Sequence, residues 1–236
     1  KKNMNIILTR PLIDSEDLMA KFFSLGHKII HLPTLKISSL NIDPINLDQF
    51  AAIVFTSANA IKYLKTEKQK NNIVCFCVGS ITEKIARMNG FTNTISAGGT
   101  VNALKHLIIN SKKIKKNKKI AYICGDNLSF DLDLDLISEG YKIEKIVNYS
   151  SEKILDINIQ NKELIKNNPP HYIFVYSQRS AQSFIEIVKK YSLYPLMTGS
   201  TVMCISKKVA SVFEKEKWQK IKIFNPGEEL FSLKII

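Results

Sequence analysis

Residues 51–60 (AAIVFTSANA) and 171–181 (HYIFVYSQRSA) share one pattern: an apolar run of strand length, a stop at small hydroxyl residues, then helical spacing. A strand apolar at every position is buried on both faces, as in a parallel sheet covered by helices. Ser57 and Ser177 then fall at the carboxyl ends of strands, where the next helix begins. Open α/β sheets bind ligands at that edge, because the helix presents unpaired N–H groups and a positive dipole end.

The remaining segments follow the same rhythm. NIILTR (5–10) predicts a strand, and after Pro11 either Asp14 or Ser15 caps a helix with Leu18, Phe22 and Leu25 at helical spacing. Gly26 ends that helix and KIIHLP (28–33) returns as a strand, completing a βαβ unit. LKISSLNI (35–42) alternates polar and apolar and reads as an extended crossing segment. Then come strands at 51–57, 73–79 and 93–99, with helices near 58–67, 80–88 and 100–109. KIAYICGD (119–126) is a further strand. FDLDLDL alternates like a strand, yet Leu128, Leu132 and Leu136 with terminal Gly140 favour a helix, and residues 141–154 are extended.

These pieces repeat. NIILTR, helix, LG and HKIIHLP match KIAYICG, helix, EG and YKIEKIVNY, while the block from AAIVFTSANA to residue 104 matches the block from YIFVYSQRSA to residue 233. Each half gives five strands with intervening helices. The duplication permits two sequential domains. It also permits a discontinuous domain of residues 1–36 and 152–236 around a continuous one of residues 37–151, with 35–42 and 148–154 pairing as a two-strand linker. We expect the second arrangement.

Composition narrows the function. The hydrophobic share of 45% suits a globular core, and no apolar run reaches the length of a membrane span. Residues 1–11 hold no long apolar segment. Cys75, Cys77, Cys124 and Cys204 all lie in strand-like runs without CxxC or paired histidine spacing. They read as reduced core thiols in a cytoplasmic protein, with no metal. His27, His31, His106 and His171 have no partner pattern and read as structural. Lys and Arg outnumber Asp and Glu by 34 to 21, giving a net charge of +13. The chain is crowded with Lys, Asn and Ile, so compositional drift is one source of that charge; if the charge is functional, it favours an acidic ligand. The densest run, SKKIKKNKK (111–119), has no interleaved aromatic residue, so it reads as a solvated loop and not as a nucleic-acid contact.

LTRP (8–11), FTSANA (55–60), Val78 and Gly79 followed by Thr82, CGD with Leu132, Leu136 and Gly140, VNY (147–149) and VYSQRSA resemble the uroporphyrinogen-III synthase family. The ending CISKKVASVFEKEKWQKIKIFNPGEELFSL is also similar, and the likeness runs in order through essentially the whole chain. The resemblance implies two flavodoxin-like parallel-sheet α/β domains joined by a two-strand linker, with the active site in a cleft between them. It implies cyclisation of hydroxymethylbilane to uroporphyrinogen III with inversion of the last ring and loss of water. No cofactor is implied. A monomer is expected, with transient contact to hydroxymethylbilane synthase.

Tyr149 matches the family's proposed proton donor to the leaving hydroxyl; the competing reading is a strand-end aromatic filling an interdomain surface. Thr56, Ser57 and Asn59 are candidates for substrate carboxylates, although Ser57 also suits a helix cap. Gly79, Ser80 and Thr82 repeat that edge, with a turn glycine the alternative for Gly79, and Ser177, Arg179 and Ser180 form its counterpart, with Arg179 read as a carboxylate fork in preference to a solvated side chain. Arg10, ending the first strand, is a further substrate-binding candidate, and Gly125 and Asp126 are weaker ones whose alternative reading is a turn and cap. One departure concerns the last α/β turn, where many family members carry glycine followed by adjacent threonines. Here it reads CISKKVA, so Ser206 and Lys207 are the candidates. The rival function is a two-lobed module that binds a small polyanion without chemistry.

Overall fold

The computed structural model describes residues 3–67 and 72–233, apart from the side chain of residue 13. In chain order the first elements are β1 (Asn5–Leu8), α1 (Leu12–Ser24), β2 (Lys28–His31), β3 (Leu35–Ser39), β4 (Ala52–Phe55) and α2 (Ala58–Lys62). There follow β5 (Val74–Cys77), α3 (Ser80–Met88), β6 (Thr94–Ser96), α4 (Val101–Ser111), β7 (Lys119–Gly125), α5 (Leu132–Ser138) and β8 (Lys142–Lys153). The chain continues through α6 (Ile159–Asn167), β9 (Tyr172–Val175), α7 (Gln178–Lys190) and α8 (Tyr194–Met197). It closes with β10 (Thr201–Cys204), α9 (Lys207–Lys215), β11 (Ile221–Ile223) and α10 (Glu229–Ser232).

Two compact units result. One takes the residues up to Lys36 together with those from Glu152 onward, and the other is Ile37–Ser151. The first holds a five-stranded sheet in the order β2-β1-β9-β10-β11, with every pair parallel. Counted along the unit, that order is second, first, third, fourth, fifth, the flavodoxin-like winding. The other sheet runs β3-β8-β7-β4-β5-β6. Taking β7 and β8 as the counterparts of β1 and β2, as the sequence repeat does, β8-β7-β4-β5-β6 is the same winding in permuted chain order. β3 makes a sixth strand, so the crossing segment joins a sheet. The Leu40 N–H donates to the Asn148 carbonyl at 3.0 Å, and the Ile154 N–H donates to that of Thr34 at 2.9 Å.

Alternation explains why the central strands are apolar throughout. Ile7, Ile173 and Val202 pack into one cluster, while Ile6, Leu8, Phe174 and Met203 pack into another across the sheet. The second unit divides in the same way, with Ile53 and Phe55 on one face and Ala52 and Val54 on the other. Helices must therefore cover both faces, which leaves the strand ends as the places where chemistry can sit.

Three helix boundaries differ from expectation. Pro11, and neither Asp14 nor Ser15, precedes α1 as its N-cap; Ser15 instead donates its hydroxyl to the Arg10 carbonyl at 3.3 Å. Proline suits that start because its fixed φ and missing N–H cost nothing there. Second, α2 stops at Lys62 and does not reach residue 67. The Ile45 N–H donates to Lys65 at 2.9 Å and Thr66 bridges Ile45, so backbone groups that would continue the helix pair elsewhere. Third, α5 starts at Leu132, with Leu132 and Leu136 buried, Leu128 outside it and Gly140 at φ 89° closing the turn.

Glu83 ties α3 to β6. Hydrogen bonds from Ser96, Arg87 (2.9 Å) and Thr94 (2.8 Å) hold its carboxyl down at about 2, against an ordinary 4.5. A carboxyl depressed in the folded state contributes stability above its unfolded pKa and loses it as pH falls toward the folded one. Glu83→Gln should cost up to about 1 kcal/mol at neutral pH. In urea melts at stepped pH, the gap to the parent protein should close between 4.5 and 2. A gap that stays constant across that window would show that the carboxylate is not its source.

Candidate functional site

In the winding shared by both units, strand order reverses between β1 and β9 and between β7 and β4, and crevices at carboxyl ends open at such switch points. In the Ile37–Ser151 unit the switch point carries Thr56, Ser57, Gly125 and Asp126. Thr56 Oγ1 lies 3.2 Å from the Tyr122 hydroxyl. Burial pushes the Tyr122 pKa up, and the bond to Thr56 works against it. Ser57 caps α2, accepting from the Asn59 N–H at 3.2 Å, so that backbone donor is committed within the turn. The hydroxyl can accept from the helix while its own proton stays available to another acceptor.

Asp126 lies exposed at the end of β7 and closes the β7–β8 end. Its Oδ1 accepts from the Ser151 N–H at 3.0 Å and from Asn127 Nδ2 at 2.9 Å, while its own N–H donates to the Tyr149 carbonyl at 3.1 Å. Tyr149 lies directly over Gly125: a Cβ on that glycine would stand 2.5 Å from the ring. The Tyr149 ring centroid is 6.4 Å from that of Tyr63. Gly79 precedes α3 with extended backbone at φ −166°, so its need for glycine comes from packing; a Cβ would stand 3.2 Å from Gly99 Cα. Ser80 is exposed in the first turn of α3, whereas Thr82 is buried.

In the other unit the switch point carries Arg10 and Ser177. The Arg10 guanidinium carbon lies 4.3 Å from the Tyr176 ring centroid, in a cation–π contact that holds the planar group against a rigid surface. Its carbonyl accepts from His31 Nε2 at 2.8 Å. The Tyr176 hydroxyl is buried, and burial first and the Glu229 carboxylate second push its pKa well up, with Arg10 opposing. Glu229 is itself buried. In the same unit Thr9, Thr34 and Ser180 form a buried hydroxyl network. Ser180 Oγ lies 2.5 Å from Thr34 Oγ1 and donates to Thr9 Oγ1 at 3.3 Å, and Thr9 donates to the Phe174 carbonyl at 2.7 Å.

Ser177 caps α7, accepting from the Ser180 N–H at 3.0 Å, and half-buried Arg179 stands in the first turn. Ser206 repeats the device at α9, accepting from the Val209 N–H at 3.3 Å, with Lys207 exposed beside it. Each unit therefore brings its own candidates to one sheet edge. Ser180 and Thr82 are buried, in the first turns of α7 and α3. Sequence reasoning missed Tyr176, whose signal was its place just before Ser177, and Glu229, for which an exposed-looking GEEL segment gave none.

The four cysteines are free and buried, with burial pushing Cys204 up to about 12. Two histidines fix β-strand starts: His27 Nδ1 accepts from the Met4 N–H and His171 Nδ1 from the Asn5 N–H. Among the described residues, no group of three or more His, Cys, Asp or Glu could hold a metal ion, and no helix is long and apolar enough to cross a membrane.

A duplicated, permuted parallel sheet with hydroxyl-capped carboxyl edges defines a class of doubly wound two-unit α/β proteins. The family model described as Uroporphyrinogen-III synthase HemD matches residues 16–224, and the chain belongs to that family. In fold it is similar to the uroporphyrinogen-III synthetase from Helicobacter pylori, at 16% identity and TM-score 0.64, over 99% of this chain and 100% of that one. It is also similar to a mutant uroporphyrinogen III synthase from the extremely thermophilic bacterium Thermus thermophilus, at 12% identity and TM-score 0.59, over 98% and 96%. No curated protein matches it at a significant level of sequence similarity.

The cap geometry gives a stability prediction separate from activity. Ser177→Ala should cost about 1 kcal/mol in urea unfolding and Ser177→Gly only a few tenths. Equal losses would contradict the cap.

Proposed function

We propose that this member of the uroporphyrinogen-III synthase family cyclises hydroxymethylbilane, with Tyr149 as the proton donor. The activity is that of a cyclising lyase in tetrapyrrole biosynthesis. The family match over residues 16–224 is the observation that carries this reading, and nothing favours a binding module without turnover.

The chemistry suits a site made of positioned donors. The pyrrole nitrogen of the terminal ring pushes out the hydroxyl, leaving an electrophilic azafulvene. In free solution the unsubstituted position of the last ring attacks and the ring closes without inversion. The enzyme must protonate the departing hydroxyl so that it leaves as water, and hold the chain so that the substituted carbon attacks and forms a spiro intermediate. Cleavage and re-closure then invert the ring, and the proton returns from the carbon to solvent. That is positioning, exclusion of water and one general acid.

The substrate carries eight carboxylates, and the positive charge of +13 favours it by steering. In this reading Arg10, held flat on Tyr176, takes one carboxylate as a fork, and Arg179 takes another. Thr56, Ser57, Asn59, Gly79, Ser80, Gly125, Asp126, Ser177, Ser206 and Lys207 supply hydroxyls, amides and turn backbone. Ser180 and Thr82 are both buried and brace the helix starts that carry the other candidates. Cytoplasmic location, a monomeric state and transient contact with hydroxymethylbilane synthase belong to the same proposal.

In an assay coupled to hydroxymethylbilane synthase, Tyr149→Phe should lower the rate of isomer III formation by about 100-fold or more, the scale of a lost general acid. Arg10→Ala should raise KM with a smaller effect on kcat, as expected for a residue that binds the ground and transition states alike. A Tyr149→Phe enzyme with the parent rate would remove Tyr149 from the mechanism.

A further inference from the structure

β8 departs from regular pairing at one point. Cys124 pairs with Val147, but Gly125 pairs with Tyr149, so Asn148 is an extra residue opposite the step between them. Successive side chains of a strand point to opposite faces, and one inserted residue reverses that alternation beyond it. The packing follows this rule. Val147 packs against the cluster of Val54 and Phe76, while Ile146 and Tyr149 both pack against that of Phe55 and Ile61. Without the bulge, Tyr149 would fall on the face of Val147.

Two residues hold this arrangement. Asn148 has no exposed surface, and its Nδ2 donates to the Ala60 carbonyl at 2.7 Å. It thereby ties the bulge to α2, the helix that follows Thr56 and Ser57. Its Oδ1 is buried without a hydrogen-bond partner among the described residues. An amide at this point thus carries a desolvation cost that an apolar side chain would avoid. Gly125 supplies the room. Its backbone lies outside the left-handed region, so an alanine is sterically allowed there, and what forbids it is the ring: a Cβ would stand 2.5 Å from Cε2, 2.6 Å from Cζ and 2.9 Å from the hydroxyl oxygen of Tyr149. Those atoms are the far end of a side chain that can swing away, so a methyl group at Gly125 displaces Tyr149 and leaves the strand in place.

We propose that Asn148 and Gly125 are positioning residues for Tyr149: the bulge at Asn148 turns the tyrosine onto its face of the sheet, and the bare Cα of Gly125 lets its ring lie across the end of β7. The catalytic part of this inference rests on the reading of Tyr149 as proton donor. The positional part does not.

The test uses the full chain with hydroxymethylbilane generated in situ, the uroporphyrin isomers separated after oxidation, and the Tyr149 ring resonances assigned by their loss in Tyr149→Phe. Gly125→Ala should lower kcat for isomer III at least about tenfold with KM within about twofold, since misplacing a reacting group by an ångström costs rate more than binding. It should shift the Tyr149 ring resonances, and Asn148→Val should do both. In the Tyr149→Phe background, Gly125→Ala should cause no further loss, because both changes remove one contribution. A parent-like kcat in Gly125→Ala, or losses that add in the double variant, would overturn the inference. Should Asn148→Val not fold, Gly125→Ala decides alone. Full activity in Tyr149→Phe would overturn the donor reading and the catalytic part with it. Unmoved ring resonances in the variants would overturn the positional part separately.

Discussion

Ile6, Ile7 and Leu8 are fully buried although neighbours along a strand point to opposite faces. Their sheet therefore needs cover on both sides, and the same holds for Ala52 through Phe55 in the other unit. This two-sided burial dictates most of the architecture. Parallel strands need crossover helices, the helices supply the cover, and the only part of each sheet left for polar work is the rim where strands hand over to helices. The winding then reverses once in each unit, between β1 and β9 and between β7 and β4. Arg10, Ser177, Thr56, Ser57 and Gly125 fall at those places for that reason.

At the rim, structural demands fall on the same atoms that the proposed function would use. Ser57, Ser177 and Ser206 each accept an N–H of the helix they begin. A hydroxyl so engaged is oriented, and its proton is still free to meet an anion. Arg10 is likewise held by the Tyr176 ring, which restricts a long side chain before any ligand arrives. Tyr149 takes its place from a strand bulge and a glycine. In each case preorganisation comes from ordinary elements of the fold, which suits a reaction that needs guidance more than activation.

Much of this was legible in the residues. Apolar runs ending in TS and YS located β4 and β9, and the glycines at 26 and 140, both at positive φ, marked helix ends. The repeat of these blocks anticipated the shared winding. What was hidden depended on partners distant in sequence. α2 stopped early because residues 65–67 pair with Ile45, and local helical spacing carries no sign of that. The bulge at Asn148 shows only in register against β7. Glu229 is buried where its charge reaches Tyr176, whereas its neighbours in sequence look like a solvated turn.

If this chain directs ring closure of hydroxymethylbilane, the isomer composition of the product shows it most directly. The unmodified protein is added to freshly generated hydroxymethylbilane, and the products are oxidised and separated by chromatography. Isomer III should predominate, and its share should rise with protein concentration. Isomer I alone, formed at the rate seen without the protein while the chain is folded, would show that the chain does not direct ring closure.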